Sequence, residues 1–386
     1  VDADAHADWV AGFDAMFARV AARFGRVEPR RRARTYLLGL LGPVQRKTGW
    51  QLAEAAGEGR PDGMQRLLNG ARWDAGGVRD DLRAYVVEHL GHPDGVLVVD
   101  EAGFVRKGTS SAGVEPQTWR GAERAQNCQV GVFLAYETPV GQALIDRELY
   151  LPRSWVSDPH RRAAAGVPSW IRYAARPVQA AAMLSRAFDA GVPARWVVAG
   201  EPYGADATFR EFLERRGAGY VVTVSRQQTV TLPSGTARVA DLVATAPEQA
   251  WKRVATSAGP DRPQPFEWAV CDLPAAGAQG RSLLVRRVAG EPQTLAFFLC
   301  AGPRDTGVDT LARIADAAPT VRDCLRRARA EVGLGRHQVR RYEAWYRHVT
   351  LALLAHAYVA VRTVQRLRVH RPIAHAQRVA DVLWRT

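Results

Sequence analysis

The stretch VLVVDEAGF, Val96 to Phe104, decides the fold: four apolar residues run without interruption up to Asp100. A short continuous apolar run of this kind reads as a strand buried on both faces. A buried strand that delivers one carboxylate to an open edge is the start of a two-metal phosphoryl-transfer site. Such a site needs several carboxylates to hold two divalent ions. The rest of the chain must supply the partners of Asp100.

Outward from that strand the period stays strand-like. Val130 to Tyr136 and Ala143 to Tyr150 read as strands joined by a tight turn at Thr138 to Gly141. A helix is predicted after Pro177, with proline at the favoured first position, ending at Gly191. Trp196 to Ala199 is a short strand, followed by a helix capped by Asp206 and ending at Gly217, then a strand at Tyr220 to Val224. Three antiparallel strands followed by alternating helices and strands is the order of a ribonuclease H-like α/β core, a mixed sheet flanked by helices. Residues 91–225 form its first part.

Residues 226–305 interrupt that order with Pro- and Gly-rich turns and apparent strands at Ser282 to Val288 and Thr294 to Cys300, and read as an inserted β-rich segment. Residues 306–386 return to helix, at Thr320 to Val332 and Tyr342 to Arg366, and close with a basic tail of Arg366, Arg368, His370 and Arg371. Residues 1–90 are expected to be an all-helical domain, with Trp9, Phe13, Met16, Phe17 and Val20 at helical spacing. Within it, Gln51 to Ala56, a turn at Gly57 to Gly59 and a helix from Pro61 through Leu68 suit a helix-turn-helix, with Arg26, Arg30, Arg31, Arg32 and Arg34 as an adjoining basic run for DNA. A generic helical bundle predicts the same pattern.

The 386 residues, 47% of them hydrophobic, are enough for two or three domains with sizeable cores. Lys and Arg number 53 against 39 Asp and Glu, an excess of 14, and the pI near 10.3 suits a polyanionic partner, DNA first. A high-GC genome that inflates Arg and Ala would produce the same surplus. Cys128, Cys271, Cys300 and Cys324 lie far apart, without zinc-ligand spacing, as expected for buried thiols in a reduced bacterial cytoplasm, associated with the nucleoid. The first residues carry acids and no apolar core, so no secretory signal is expected there. Leu351 to Val361 is too short to span a bilayer, contains His356 and reads as a core helix, so no membrane partner is expected.

Several strings resemble insertion-sequence transposases of the insertion-sequence 701 family, members of the DDE superfamily. They are VVDEAGF, KGT (Lys107 to Thr109), NCQVGVFLAY (Asn127 to Tyr136), ALIDRELYLPRSW (Ala143 to Trp155), EVGL (Glu331 to Leu334) and QVRRYEAWYRHVTLALLAHA (Gln338 to Ala357). GWQLAEAAG (Gly49 to Gly57) and PDGMQRLL (Pro61 to Leu68) extend the likeness into the helical block. The resemblance implies a DNA-cleaving and DNA-joining core in which two aspartates and one glutamate hold two Mg2+ (or Mn2+) ions. It also implies action as a homo-oligomer on paired DNA ends, with Lys107 among the DNA contacts.

Only the first acid is in place. Asp100 stands at the first aspartate. In relatives the second strand ends Gly-Asp-Glu, then one residue, then Tyr-Gly; here the stretch is Ala199, Gly200, Glu201, Pro202, Tyr203, Gly204, which puts Gly200 at the second aspartate. Counting back from Glu331, Arg322 stands at the glutamate and Arg329 at the basic residue seven positions later. Ala318 and Pro319 replace the Arg and Trp that precede the glutamate in relatives. Substitution by Asp323 would turn the side chain by about 100° on the helix. Glu201 as a stand-in meets the alternation of strand residues between opposite faces.

The sequence therefore predicts a transposase homologue that keeps fold and DNA affinity, has lost strand cleavage and no longer binds the metals productively. Two alternatives stay open: an active transposase using Asp100, Glu201 and Asp323, or a scaffold reused as a regulator or for a non-nuclease reaction, with Arg322 and Arg329 forming an anion pocket. Asp146 and Glu148 alternate with apolar neighbours and read as exposed or salt-bridged positions. His337, His348 and His356 lack the spacing of a metal pair, and Tyr342, Trp345 and Tyr346 read as helix packing, with base stacking as the alternative.

Overall fold

The computed structural model describes residues 3–254, 266–275 and 279–370. In chain order the helices are α1 (Ala3–Val20), α2 (Val27–Leu41), α3 (Gly49–Ala55), α4 (Asp62–Asn69) and α5 (Ala75–Leu90), then β1 (Gly95–Val105), β2 (Glu115–Gln117), β3 (Gln126–Glu137) and β4 (Gln142–Tyr150). There follow α6 (Arg153–Val156), α7 (Pro159–Ala165), α8 (Arg176–Asp189), β5 (Ala194–Ala199), α9 (Glu201–Gly204), α10 (Ala207–Arg215) and β6 (Gly219–Val224). The remainder is β7 (Thr229–Leu232), β8 (Gly235–Arg238), α11 (Val239–Ala244), β9 (Lys252–Arg253), β10 (Phe266–Leu273), β11 (Gln279–Val288), β12 (Glu291–Pro303), α12 (Val308–Ala315), α13 (Thr320–Glu331) and α14 (Tyr342–His370). The expected basic tail lies, from Arg371 onward, outside the described residues. So do residues 255–265 and 276–278 of the β-rich segment.

The chain divides into two compact units. One comprises Pro93–Glu137 and Asp146–Cys324, the other Val1–His92, Thr138–Ile145 and Leu325–Thr386. The first is mixed α/β, built on a sheet of ten strands among the described residues, in the order β2-β3-β1-β5-β6-β12-β11-β10-β9, with β4 paired to β3. Only β1, β5 and β6 are mutually parallel, Val96 to Val99 lying beside Trp196 to Ala199, and Trp196 to Ala199 beside Gly219 to Val222. Strands central to such a sheet are covered on both faces. Leu97, Val98, Val99, Val197, Val198, Val221 and Val222 are accordingly all buried.

Helix boundaries follow the local chemistry. Asp206 caps α10 by accepting the Phe209 N–H at 2.9 Å, and Gly217, with φ +68°, supplies the left-handed residue after its end. Pro177 lies in the first turn of α8, where its missing N–H costs nothing, and Gly191 at φ +68° follows its end.

One reading is corrected. β1 does not end at Asp100 but runs on to Val105, because its antiparallel pairing with β3 continues from Val96 opposite Glu137 to Val105 opposite Cys128. The parallel pairing with β5 does stop at Val99. Asp100 is therefore the first residue beyond that pair, within a continuing strand. The inserted β-rich segment joins the core sheet. β12 pairs antiparallel with β6, Leu299 opposite Val222, and β11 and β10 follow, so the segment covers what would otherwise be an open edge. Only β7 and β8 form a separate two-stranded sheet.

In the other unit residues 3–90 carry helices and no strand. Aromatic residues of α1 stack in sequence, Trp9 on Phe13 at 5.9 Å and Phe13 on Phe17 at 6.3 Å, and the row continues through Phe24 to Trp73. α3 starts at Thr48, whose side chain accepts the Gln51 N–H, and gives way to Gly57 at φ +75° before α4 buries Met64, Leu67 and Leu68. The helix pair read from the sequence is present.

α14 is a core helix through Leu351 to Val361, with Trp345 fully buried and Tyr342 and Tyr346 half-buried beside it. His348 is buried too, its Nε2 donating to the Leu334 carbonyl at 3.1 Å and its Nδ1 accepting from the Tyr36 hydroxyl at 2.8 Å. Burial lowers the pKa of His356 to about 4, so it is neutral near pH 7. No helix among the described residues is long and apolar enough to cross a membrane.

Asp146, read as exposed or salt-bridged, is salt-bridged. It is 1% exposed on β4 and accepts from Arg186 Nε of α8 at 2.9 Å, while Arg186 Nη2 reaches Glu148 at 2.7 Å. The pairing expected there exists, but inside the unit. A buried carboxylate deprived of its cation is costly, so Arg186→Met is expected to lower the stability measured by urea denaturation by roughly 3 kcal/mol.

Candidate active site

Consecutive residues of β1 point to opposite faces of the sheet, so Asp100 and Glu101 place two carboxylates back to back, 1% and 3% exposed. Each must meet positive charge or donors to remain there. On one face Asp100 Oδ1 accepts the Glu101 N–H at 2.9 Å. Its Oδ2 has no hydrogen-bond donor among the described residues and instead faces Arg120 Nη1 at 3.6 Å. Burial raises the Asp100 pKa to about 6, against the opposing pull of Arg120, the Glu101 N–H and Arg322.

On the other face Glu101 is more fully held. Its Oε1 accepts from Arg176 Nη1 at 2.7 Å and from the Arg120 backbone N–H at 3.2 Å, and its Oε2 from the Tyr203 hydroxyl at 3.5 Å. Arg176 also donates to the Thr118 carbonyl at 2.9 Å. The segment Thr118 to Arg120 is thus pinned across β1. Gly103 permits this, since a Cβ there would lie 2.4 Å from the Trp119 ring.

Gly200 caps α9, with Ala199 as the last residue of β5. A Cβ on Gly200 would come 3.0 Å from Arg120 Nη1. The same guanidinium that faces Asp100 therefore occupies the space into which a side chain at position 200 would grow. Glu201 is not a strand residue, as the alternation argument assumed, but the first residue of α9, and it is exposed. The Tyr-Gly pair after it has a physical basis: Tyr203 is buried against Glu101, and a Cβ at Gly204 would strike the Thr223 carbonyl.

Arg322 is exposed in the first turn of α13, close enough for its charge to bear on Asp100. Asp323 acts on another group. With Asp316 it helps raise the pKa of Glu137, at the end of β3, to about 7, burial being the larger cause, and the Thr320 hydroxyl donates to the same carboxylate. Arg329 is exposed further along α13, and Lys107 is exposed in the turn after β1.

Of the basic run, Arg26 caps α2 and the rest lie on it. Arg32 pairs with Glu58 and Arg34 with Asp14 at 2.6 Å, whereas Arg26 and Arg31 are exposed. Arg120 lies beside both Asp100 and Gly200, the charge of Arg322 bears on Asp100, Glu201 is exposed and the charge of Asp323 bears on Glu137. Sequence reasoning missed Arg120, Arg176 and the role of Glu101. Glu101 and Tyr203 stood inside quoted motifs, but no spacing marks the two arginines.

Residues that would hold divalent ions were tested against this geometry. One carboxylate oxygen is free of hydrogen-bond donors, a divalent ion needs several oxygen ligands, and a guanidinium already faces that oxygen. Among the described residues no group of three or more His, Cys, Asp or Glu could hold a metal ion. The donor set does not fit a two-metal centre.

A mixed sheet flanked by helices, with an acid presented where its parallel neighbour ends, is consistent with the catalytic fold of the DDE endonucleases. Residues 19–270 match the family profile of the DDE superfamily endonucleases, and the chain belongs to that family. The match takes in Asp100 and Gly200 and stops before α13. No curated protein matches the chain. Members of this family act on DNA and normally use divalent metals such as Mg2+.

Glu137 offers a pH test. Its pKa is raised from 4.5 to about 7, so the folded state binds the proton more tightly than the unfolded chain. That contribution to stability is complete below the unfolded value and is lost as pH rises through the folded one. Thermal melts across about pH 5 to about pH 8 are expected to show a falling melting temperature, and Glu137→Gln, which has no proton to lose, should remove part of the fall.

Proposed function

We propose that this chain is a DNA-binding relative of the insertion-sequence 701 transposases, with a ribonuclease H-like core whose strand-cleaving centre has been lost. One observation carries the reading: the Arg120 guanidinium lies 3.6 Å from Asp100 Oδ2 and 3.0 Å from the point where a side chain at Gly200 would begin. The volume that two aspartates and a divalent ion would share holds an internal cation instead. Arg322 adds a second positive charge where the third acid would stand, so an incoming Mg2+ would meet repulsion rather than a ligand. Relocated acids have less support, because Glu201 is exposed on α9 and the charge of Asp323 is felt at Glu137.

DNA affinity is assigned to the helical block. α4 turns Met64, Leu67 and Leu68 inward and leaves Gln65, Arg66 and Asn69 exposed, side chains of the types that read base edges in a major groove. Arg26 and Arg31 are placed for phosphate contacts.

Two outcomes are expected. With labelled duplex carrying candidate terminal inverted repeats and Mg2+ or Mn2+, nicking by the wild-type chain should not exceed that of Asp100→Ala; robust cleavage abolished by Asp100→Ala would sink the proposal. In gel shifts on the same duplex, Arg66→Ala and Asn69→Ala should each weaken binding by about 1–3 kcal/mol, whereas Arg31→Ala should weaken all sequences alike and reduce the salt dependence.

A further inference from the structure

The loop between α7 and α8 presents an indole to solvent. Trp170 is 73% exposed, more than any other large apolar side chain among the described residues. Such exposure forgoes the burial that normally stabilises a tryptophan, and a slack loop could turn the ring inward.

This loop is not slack. Arg162, near the end of α7, donates through Nη2 to the carbonyls of Pro168 at 2.7 Å, Ser169 at 3.1 Å and Ile171 at 3.1 Å, the residues on either side of Trp170. Arg172 adds a bond to the Ser169 carbonyl at 2.6 Å, and the Ile171 N–H closes a turn on Pro168 at 3.1 Å. The backbone beneath the ring is preorganised, so little ordering entropy remains to be lost on binding.

The surroundings are strongly basic. Residues 153–176 contain five arginines, Arg153, Arg161, Arg162, Arg172 and Arg176, against the single acid Asp158. Arg153, exposed, lies over the Tyr173 ring at 4.2 Å, and Arg172 is exposed beside Trp170. Arg176, where α8 begins, is the residue whose guanidinium holds Glu101, next to Asp100 on β1. A solvent-facing indole on a held backbone, in an arginine-rich segment anchored to the β1 strand, is complementary to a base and its phosphate.

We infer that Trp170 and its arginine surround form a stacking platform for an unpaired base of single-stranded DNA. The base must be unpaired because both faces of a base inside a duplex are already stacked, leaving none for the indole. The inference rests on the DNA-binding reading above, but at a place on the chain separate from α4.

The test is fluorescence anisotropy of the full chain with a labelled thymidine oligonucleotide of about 20 nucleotides, a duplex of equal length, and anionic phosphatidylserine vesicles, for wild type, Trp170→Ala and Trp170→Phe. Loss of one stacked base is expected to weaken single-strand binding roughly tenfold in Trp170→Ala, with Trp170→Phe close to wild type and duplex affinity unchanged. Because the side chain is exposed, unchanged melting temperatures should accompany that loss. Unaltered single-strand affinity in Trp170→Ala, with duplex still bound, overturns the platform and leaves the DNA-binding reading intact. No binding of either DNA by wild type overturns both. Vesicle binding that disappears in Trp170→Ala assigns the loop to a lipid surface and overturns the inference.

Discussion

Burying two adjacent carboxylates in the middle of a sheet is the constraint around which the α/β unit is arranged. Taking an ion out of water costs several kcal/mol even after relaxation, so Asp100 and Glu101 could not remain on β1 without compensation on each face. Glu101 obtains it from Arg176, the Arg120 N–H and Tyr203. Those contacts draw the start of α8, the Thr118 to Arg120 segment and α9 onto the strand. Asp100 obtains less, a single N–H and a guanidinium at 3.6 Å, and its raised pKa shows that burial outweighs them. The two faces of one strand thus carry opposite outcomes: one carboxylate has become a structural hub, and the other is an incompletely compensated acid.

Arg120 links these outcomes. Its backbone serves Glu101 while its side chain serves Asp100, so the interaction that fastens the segment to the sheet also brings a cation to the other face. Gly200 fits the same arrangement, since any side chain there would meet the guanidinium. Positions 200 and 120 are therefore physically coupled: a carboxylate at 200 would pair with Arg120 or move it, and either would alter the charge at Asp100.

Much of the fold was legible in the sequence because periodicity and punctuation are local. The buried run before Asp100, the Asp206 cap, Pro177 and Gly191 around α8, and Gly57 between α3 and α4 all act within a few residues, and all behave as read. What failed was whatever depended on pairing at a distance. β1 runs past Asp100 because β3 continues beside it, and the edge of β6 on which the inserted β-rich segment pairs was left unread. Neither partner is visible from the strand concerned. Asp146 was read as exposed or salt-bridged, and alternation could not decide which, because Arg186, forty residues later, arrives on α8 to pair with it.

The sequence by itself pointed to the DDE superfamily, because the likeness is carried by residues within short motifs. Only the tertiary structure decided what fills the centre. Arg120 and Arg176 lie in segments with no motif or spacing of their own, and their meaning comes from side chains that reach β1 from separate parts of the chain. Charge compensation in a buried site depends on distance in space, and a sequence records only distance along the chain.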